Sequence, residues 1–335
     1  MSILITPPGY KSKLNIYETQ KAIGDAKRIF EDNLSAALNL RRVSAPLFVE
    51  PASGLNDNLS GVERPVDFRI TETGGTAEIV QSLAKWKRLA LHKYKFPVGE
   101  GLYTDMNAIR RDEEMDNTHS IYVDQWDWEL VIDRSQRTEA FLRETVQKLV
   151  DIICGTHIAL HARFPQLTSR LRNEVTFVTS QELEDMYPNF DDKQREDAFV
   201  KIHKTVFIMK IGGALKSGKP HGTRAPDYDD WELNGDLIIW HETLGIAMEI
   251  TSMGIRVDEN SLDCQLKISG CDDRRNLPFH KMLLEGALPL TIAGGLGQSR
   301  LCMLWLEKAH VGEVQVSVWD EQTLEGCRNA GIELL

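Results

Sequence analysis

Ala293-Gly294-Gly295-Leu296-Gly297-Gln298-Ser299-Arg300-Leu301 is the stretch on which the reading of this chain turns. Three glycines fall within four positions. Arg300 follows, and Leu301, Met303, Leu304 and Leu306 take up helical spacing after it. Glycine lets backbone pass close to a bulky ligand, and the first turn of a helix attracts phosphate through unpaired amides and its dipole. The stretch therefore reads as a glycine-rich turn into a helix with Arg300 in its first turn. Tight packing explains such turns equally well, so the rest of the chain has to decide.

With 335 residues the chain can bury a sizeable core. No apolar run is long enough to cross a bilayer, and residues 1–6 are too short for a secretion signal, so a cytoplasmic location without a membrane partner is expected. The five cysteines (Cys154, Cys264, Cys271, Cys302, Cys327) are scattered and form no C-x-x-C pair, which suits reduced thiols better than a zinc cluster. A net charge of -11 opposes broad attraction to nucleic acid. An anionic ligand must then be gripped by a few local arginines and lysines, or by a divalent metal.

Residues 11–42 read as one long amphipathic helix, followed after Pro46 by a short strand. A polar loop with Asn56-Asp57-Asn58 leads to a hairpin turning at Thr73-Gly74-Gly75-Thr76. On the helix expected over 81–94, Lys87 lies between Trp86 and Leu89, where most lysines snorkel to water. Strands are expected at 101–110 and 119–128. The second puts His119, Ile121, Val123, Gln125 and Asp127 on one face, either lining a pocket or on an exposed sheet face. On the helix expected over 137–164, His157 and His161 lie one turn apart, but the glutamate a zinc protease needs beside the first is missing. Gly213 to Lys219 fits a phosphate loop until Pro220, which lacks both amide and hydroxyl, so a hairpin turn is expected. Strands at 234–241 and 245–250 carry Asp236 and Glu249, carboxylates that are costly in apolar sequence without a cation. Magnesium would supply one; so would Arg256, beyond an expected bend at Ser252-Met253-Gly254.

Strands near both ends with helices between them indicate an α+β domain on a mainly antiparallel sheet flanked by helices. The glycine-rich stretch resembles the third motif of class II aminoacyl-tRNA synthetases, in which Arg300 is the ATP-binding arginine. Val43-Ser44-Ala45-Pro46-Leu47-Phe48, after its helix, resembles the first motif at their dimer interface. Arg110-Arg111-Asp112, followed by His119, Val123 and Asp127, resembles the second, whose arginine meets the α-phosphate. Within that class, Gln81-Ser82 with Lys87, and Glu249 through Arg256, are similar to substrate and magnesium segments of the aspartate and asparagine enzymes.

Longer strings resemble one family more closely: Asp57-Asn58-Leu59-Ser60-Gly61, Ser82-Leu83-Ala84-Lys85-Trp86-Lys87-Arg88, Tyr122-Val123-Asp124-Gln125-Trp126-Asp127-Trp128-Glu129 and Arg224-Ala225-Pro226-Asp227-Tyr228-Asp229-Asp230-Trp231. They look like blocks of the ammonia-dependent asparagine synthetases, the AsnA-type aspartate-ammonia ligases. The resemblance implies a class II synthetase-like core over residues 1–335 as one domain, without an anticodon-binding domain, in a homodimer. It implies ATP as co-substrate, Mg2+, L-aspartate and ammonia, with β-aspartyl-AMP as intermediate. Arg110, Arg300, Gln125 and Asp127 would be catalytic, and Asp57, Lys87, Gln125, Asp127 and Arg256 would hold aspartate. ATP would meet Arg110, Asp112, Asp229, Gly295, Gly297 and Arg300, and the metal Asp236 and Glu249. The first cysteine is Cys154, so no N-terminal glutaminase nucleophile is expected and free ammonia is the expected nitrogen donor. A tRNA-dependent aspartyl or asparaginyl synthetase core and a non-catalytic synthetase-like regulator are the alternatives; intact Arg110, Glu249 and Arg300 speak for catalysis.

Overall fold

A computed structural model describes residues 4–57, 59 and 63–335; Asn58, Ser60 and Gly61 of the first family-like block, and Met1 to Ile3, lie outside the described residues. Helix α1 (Ile16–Ala37) starts at a capping box, in which Asn15 accepts from the Glu18 amide and Glu18 accepts from the Asn15 amide. The helix expected to reach residue 42 stops earlier. Asn39 adopts a left-handed φ of 51°, which a short polar side chain tolerates, and the chain turns into strand β1 (Leu40–Arg42).

Strands β2 (Phe48–Val49), β3 (Asp67–Arg69) and β4 (Thr76–Ile79) form a small sheet ordered β2-β4-β3, with the expected hairpin turn between the last two. There follow α2 (Ala84–Tyr94), β5 (Gly101–Ile109), β6 (Tyr122–Val131), α3 (Glu139–Arg163), β7 (Thr176–Thr179), α4 (Ser180–Met186), α5 (Asp192–His203) and β8 (Thr205–Met209). The chain continues through β9 (Asp229–His241), β10 (Ile246–Arg256), α6 (Glu259–Ile268), α7 (Pro278–Leu284), β11 (Thr291–Gly297), α8 (Gln298–Leu306) and α9 (Glu321–Asn329). Among the described residues an eight-stranded sheet runs β1-β5-β6-β11-β10-β9-β8-β7; only the outermost pairs, β1 with β5 and β7 with β8, are parallel. The mainly antiparallel α+β architecture is the one expected.

Period-two alternation divides β6 between two jobs. Trp126 and Trp128 are fully buried; Trp126 lies 4.6 Å from Phe30 of α1, which meets Trp305 of α8 at 5.4 Å. One sheet face is therefore sealed by helices, which leaves Gln125 and Asp127 on the other.

Two local expectations change. Gly294, Gly295 and Gly297 belong to strand β11, not to a turn, because all three pair with β6 and the first two also pair with β10 on the other side. A Cβ on Gly295 would come within 2.4 Å of Gln125 Oε1, so glycine here makes room for a neighbouring side chain. Likewise β10 runs through Ser252-Met253-Gly254 without a bend, its irregularities being bulges at Glu249/Thr251 and Gly254/Arg256. Gly254 is needed where β9 approaches, since a Cβ there would lie 2.6 Å from that of Asn234. The Gly213–Pro220 segment is a hairpin turn as expected, closed by a bridge from Ala214 to Pro220. Among the described residues no helix is long and apolar enough to cross a membrane.

Candidate active site

A cavity of about 420 Å³ opens on the uncovered face of β6, β11, β10 and the start of β9. Its lining brings together Asp57, Lys87, Arg110, Asp112, Gln125 and Asp127 with Asp229, Glu249, Arg256, Gly295, Gly297 and Arg300. Of the expected site residues, Asp236 is not itself in the lining; it reaches the cavity through Arg224, which is.

At one end the charges are buried. Lys87, whose local setting would let it snorkel to water, has a side chain that is 1% exposed and donates to Asp127 Oδ1 and, at 3.2 Å, to the Gly294 carbonyl. Burial pulls its pKa down; Asp127 opposes this and nearby Arg256 adds to it. Arg256 is 4% exposed, donates to Asp229 Oδ1, and lies 3.9 Å from the fully buried Glu129. Burial disfavours its charge, but Asp229 and then Glu129 outweigh that and raise its pKa. Arg256 does not partner Glu249: seven positions along a strand span roughly 23 Å. Asp57 accepts from the Leu59 amide at 3.0 Å; burial, helped by Asp227 and opposed by Lys85, raises its pKa.

The other end is wetter. Arg300, 22% exposed, donates to the carbonyls of Glu249 (3.1 Å) and Thr118 (3.3 Å), and its guanidinium lies 3.9 Å from the Glu249 carboxylate. Burial would raise the pKa of Glu249, but Arg300 and Arg224 hold it below the usual range, helped by Ser252, whose hydroxyl donates at 3.1 Å. On the paired strand, Asp236 accepts from Arg224. Burial raises its pKa, Arg224 opposes, and Glu249 pushes it up again, to about 6. Arg110 extends from the end of β5 with Glu113 at 3.8 Å. Asp112 is held by Arg64, first through side-chain hydrogen bonds, which lower its pKa to about 2.

At the N-terminus of α8, where the sequence suggested a phosphate cradle, one amide is already taken. Asp124 of β6 accepts from the Ser299 amide at 3.1 Å and from Gln315 at 3.3 Å. The Asp124 carboxylate thus occupies part of that helix terminus, while the Arg300 guanidinium faces Glu249. Sequence reasoning also gave no role to Arg224, Asp124 or Glu129. Their signal was position inside the two family-like blocks, with no spacing rule to single them out.

This sheet order, with the cavity on its open face, defines the class II aminoacyl-tRNA synthetase catalytic fold. The Entamoeba histolytica asparaginyl-tRNA synthetase in complex with asparaginyl-adenylate superposes with a TM-score of 0.67 at 11% identity, covering 90% of this chain and 66% of that one. The Pyrococcus horikoshii asparaginyl-tRNA synthetase gives 0.62 at 14%, covering 88% and 68%. The chain thus spans about two thirds of those longer synthetases, and at such identities the likeness carries the fold alone. The family model for aspartate-ammonia ligase matches residues 17–331. The aspartate-ammonia ligase of Ruminiclostridium cellulolyticum is 56% identical over 336 residues, covering 100% of both chains. That of Lactobacillus acidophilus is 56% identical over 334 residues, covering 99% of each. The chain belongs to the aspartate-ammonia ligase family.

Proposed function

We propose that this cavity adenylates the β-carboxylate of L-aspartate and lets ammonia displace AMP, giving L-asparagine. Ammonia does not expel oxide from a carboxylate, so the carboxyl first needs a better leaving group. Attack of a β-carboxylate oxygen on the α-phosphorus of ATP forms the acyl-phosphate bond and releases pyrophosphate. Ammonia then adds to the acyl carbon, the C–O bond to AMP breaks, and a proton passes to solvent.

Positioning and charge neutralisation do most of this work. Arg110 stabilises charge building on the α-phosphoryl group, and Arg300 holds the nucleotide with Gly295, Gly297 and Asp112 around it; Asp229, expected to meet ATP, serves instead as the buried partner of Arg256. Lys87 and Arg256 fix the substrate's carboxylates, Asp57 its ammonium group, and Gln125 and Asp127 orient the reacting end. What supports this reading is that Arg110 and Arg300, far apart in sequence, line one cavity with Lys87 and Arg256.

Asp236 and Glu249 would hold Mg2+. They are oxygen donors on neighbouring strands, and Glu249 disfavours the charge of Asp236, a repulsion that a divalent cation relieves. When bound, magnesium neutralises phosphate charge. A homodimer through α1 and β1 is part of the proposal, supported by the open edge of β1 with exposed Arg41 and Arg42 and by exposed Tyr17 on α1. All five cysteines are free, which suits the cytoplasm.

The test is incubation with ATP, Mg2+, aspartate and ammonium, with assay of asparagine, AMP and ADP, and with Arg110→Ala and Arg300→Ala as controls. Asparagine with stoichiometric AMP and no requirement for tRNA is expected. ADP formation, or AMP release only with tRNA, overturns the reading.

A further inference from the structure

Charges of alternating sign link the two ends of the cavity. Glu129 lies 3.9 Å from Arg256 Nε, Arg256 donates to Asp229 Oδ1, Asp229 Oδ2 lies 3.8 Å from Arg224 Nε, and Arg224 Nη2 donates to Asp236. Arg224 has spare capacity within that series. Its side chain is 6% exposed, and its buried Nε has no hydrogen-bond partner although it faces Asp229. It lies between β8 and β9 and lines the cavity, within reach of one carboxylate at the metal end and one at the amino-acid end. A guanidinium presents its donors as a planar fork, so small torsional changes exchange one carboxylate for another without loss of charge.

We propose that Arg224 is an exchangeable counter-ion coupling the two ends of the cavity: it neutralises Asp236 until a divalent cation and its nucleotide occupy Asp236 and Glu249, then passes to Asp229. The inference rests on the metal site proposed above. Two consequences of opposite sign follow. The cation must displace Arg224 from Asp236, so Arg224 weakens binding of metal alone. Once Arg224 shares Asp229, that carboxylate neutralises Arg256 less completely, and Arg256 offers more of its charge to the substrate's carboxylate. Aspartate is therefore gripped hardest when metal and nucleotide are already in place, and by linkage they are held harder when aspartate is present. Arg224 acts through other residues and is a positioning residue.

The test uses the full chain and binding readouts. Aspartate affinity is measured calorimetrically with and without Mg2+ plus α,β-methylene-ATP, which cannot be cleaved at the α-phosphorus. Mn2+ alone is titrated by its electron-spin signal. In the unmodified protein the metal-nucleotide pair should tighten aspartate binding on the order of tenfold. In Arg224→Gln that gain should vanish while Mn2+ alone binds on the order of tenfold more tightly. A merely structural arginine would weaken both. Arg224→Lys, which keeps the charge but not the fork, is the second variant should glutamine prevent folding, and it should retain weak Mn2+ binding yet lose the coupling. Full coupling in either variant, or no gain in Mn2+ affinity in Arg224→Gln, overturns the proposal. Asp236→Asn separates the two readings. Unchanged Mn2+ affinity there removes the metal site and the exchange with it, whereas lost Mn2+ affinity together with intact coupling in the Arg224 variants removes the exchange alone.

Discussion

The two ends of the cavity use the same residue types and hold them in opposite ways. At the buried end, proposed above to take the amino acid, Lys87, Asp127, Arg256 and Asp229 are each at most 5% exposed and paired in contact. At the wetter end, proposed above to take the nucleotide, Glu249 is 45% exposed, Arg300 22%, and their charged groups stand 3.9 Å apart. Stranding one member of a buried pair costs several kcal/mol, so the first end must be complete for the chain to fold around it. A wet pair opens for little. The buried end is thus preformed, whereas the wetter end keeps charged groups that can rearrange at little cost.

The sharpest way to break this contrast is Arg256→Met, which leaves Asp229 and Glu129 without their shared cation. It should cost about 3–5 kcal/mol in urea unfolding as well as aspartate binding. A variant as stable as its parent would mean that the two ends are not built differently. Arg300→Ala should lower the rate of AMP release by about 100-fold to 1000-fold while moving stability by no more than about 0.5 kcal/mol. Parallel rate and melting measurements check whether function and folding separate at the open end. Gly295→Ala places a Cβ 2.4 Å from Gln125 Oε1. Displacing Gln125 should raise the KM for aspartate by up to about a hundredfold, and the KM for ATP by a smaller factor because Gly295 borders both substrates in the proposed arrangement.

Acidity gives a gentler probe. The Asp236 carboxyl sits at about 6, above its ordinary 3.8. In the metal-free protein its contribution to stability is therefore fully present below pH 3.8 and lost as the pH rises through 6. Magnesium needs the ionised form, so lowering the pH from 7.5 to 5 should raise the Mg2+ needed for half-maximal rate by about tenfold. A flat profile would place the metal elsewhere. The smallest effect should come from Asp112→Asn, whose partner Arg64 is 69% exposed; the KM for ATP should change by no more than about fivefold.

Much of this could be read without coordinates. The order of the three motif-like segments, the α+β class and the gathering of Arg110 with Arg300 follow from strings that survive as neighbours in the fold. What stayed hidden depends on pairing across long separations. Lys87 reads as a snorkelling lysine because nothing near it announces Asp127, which the β6 pleat brings up from forty positions away. The glycines of β11 read as a turn because local propensity is blind to strands on both sides, and these make an extended run of glycine tolerable. Asp124 takes the Ser299 amide at the start of α8, and no single-sequence rule assigns such a partner to a residue so distant.

Strand β6 also carries an optical gauge. Gln125 and Asp127 alternate along it with Trp126 and Trp128, whose rings are sealed in the helix-covered layer. Any adjustment of that strand as substrates arrive is felt by indoles that solvent never reaches. Tryptophan emission, with Phe30 against Trp126 and Trp305, can therefore follow occupancy of the cavity in the unlabelled protein.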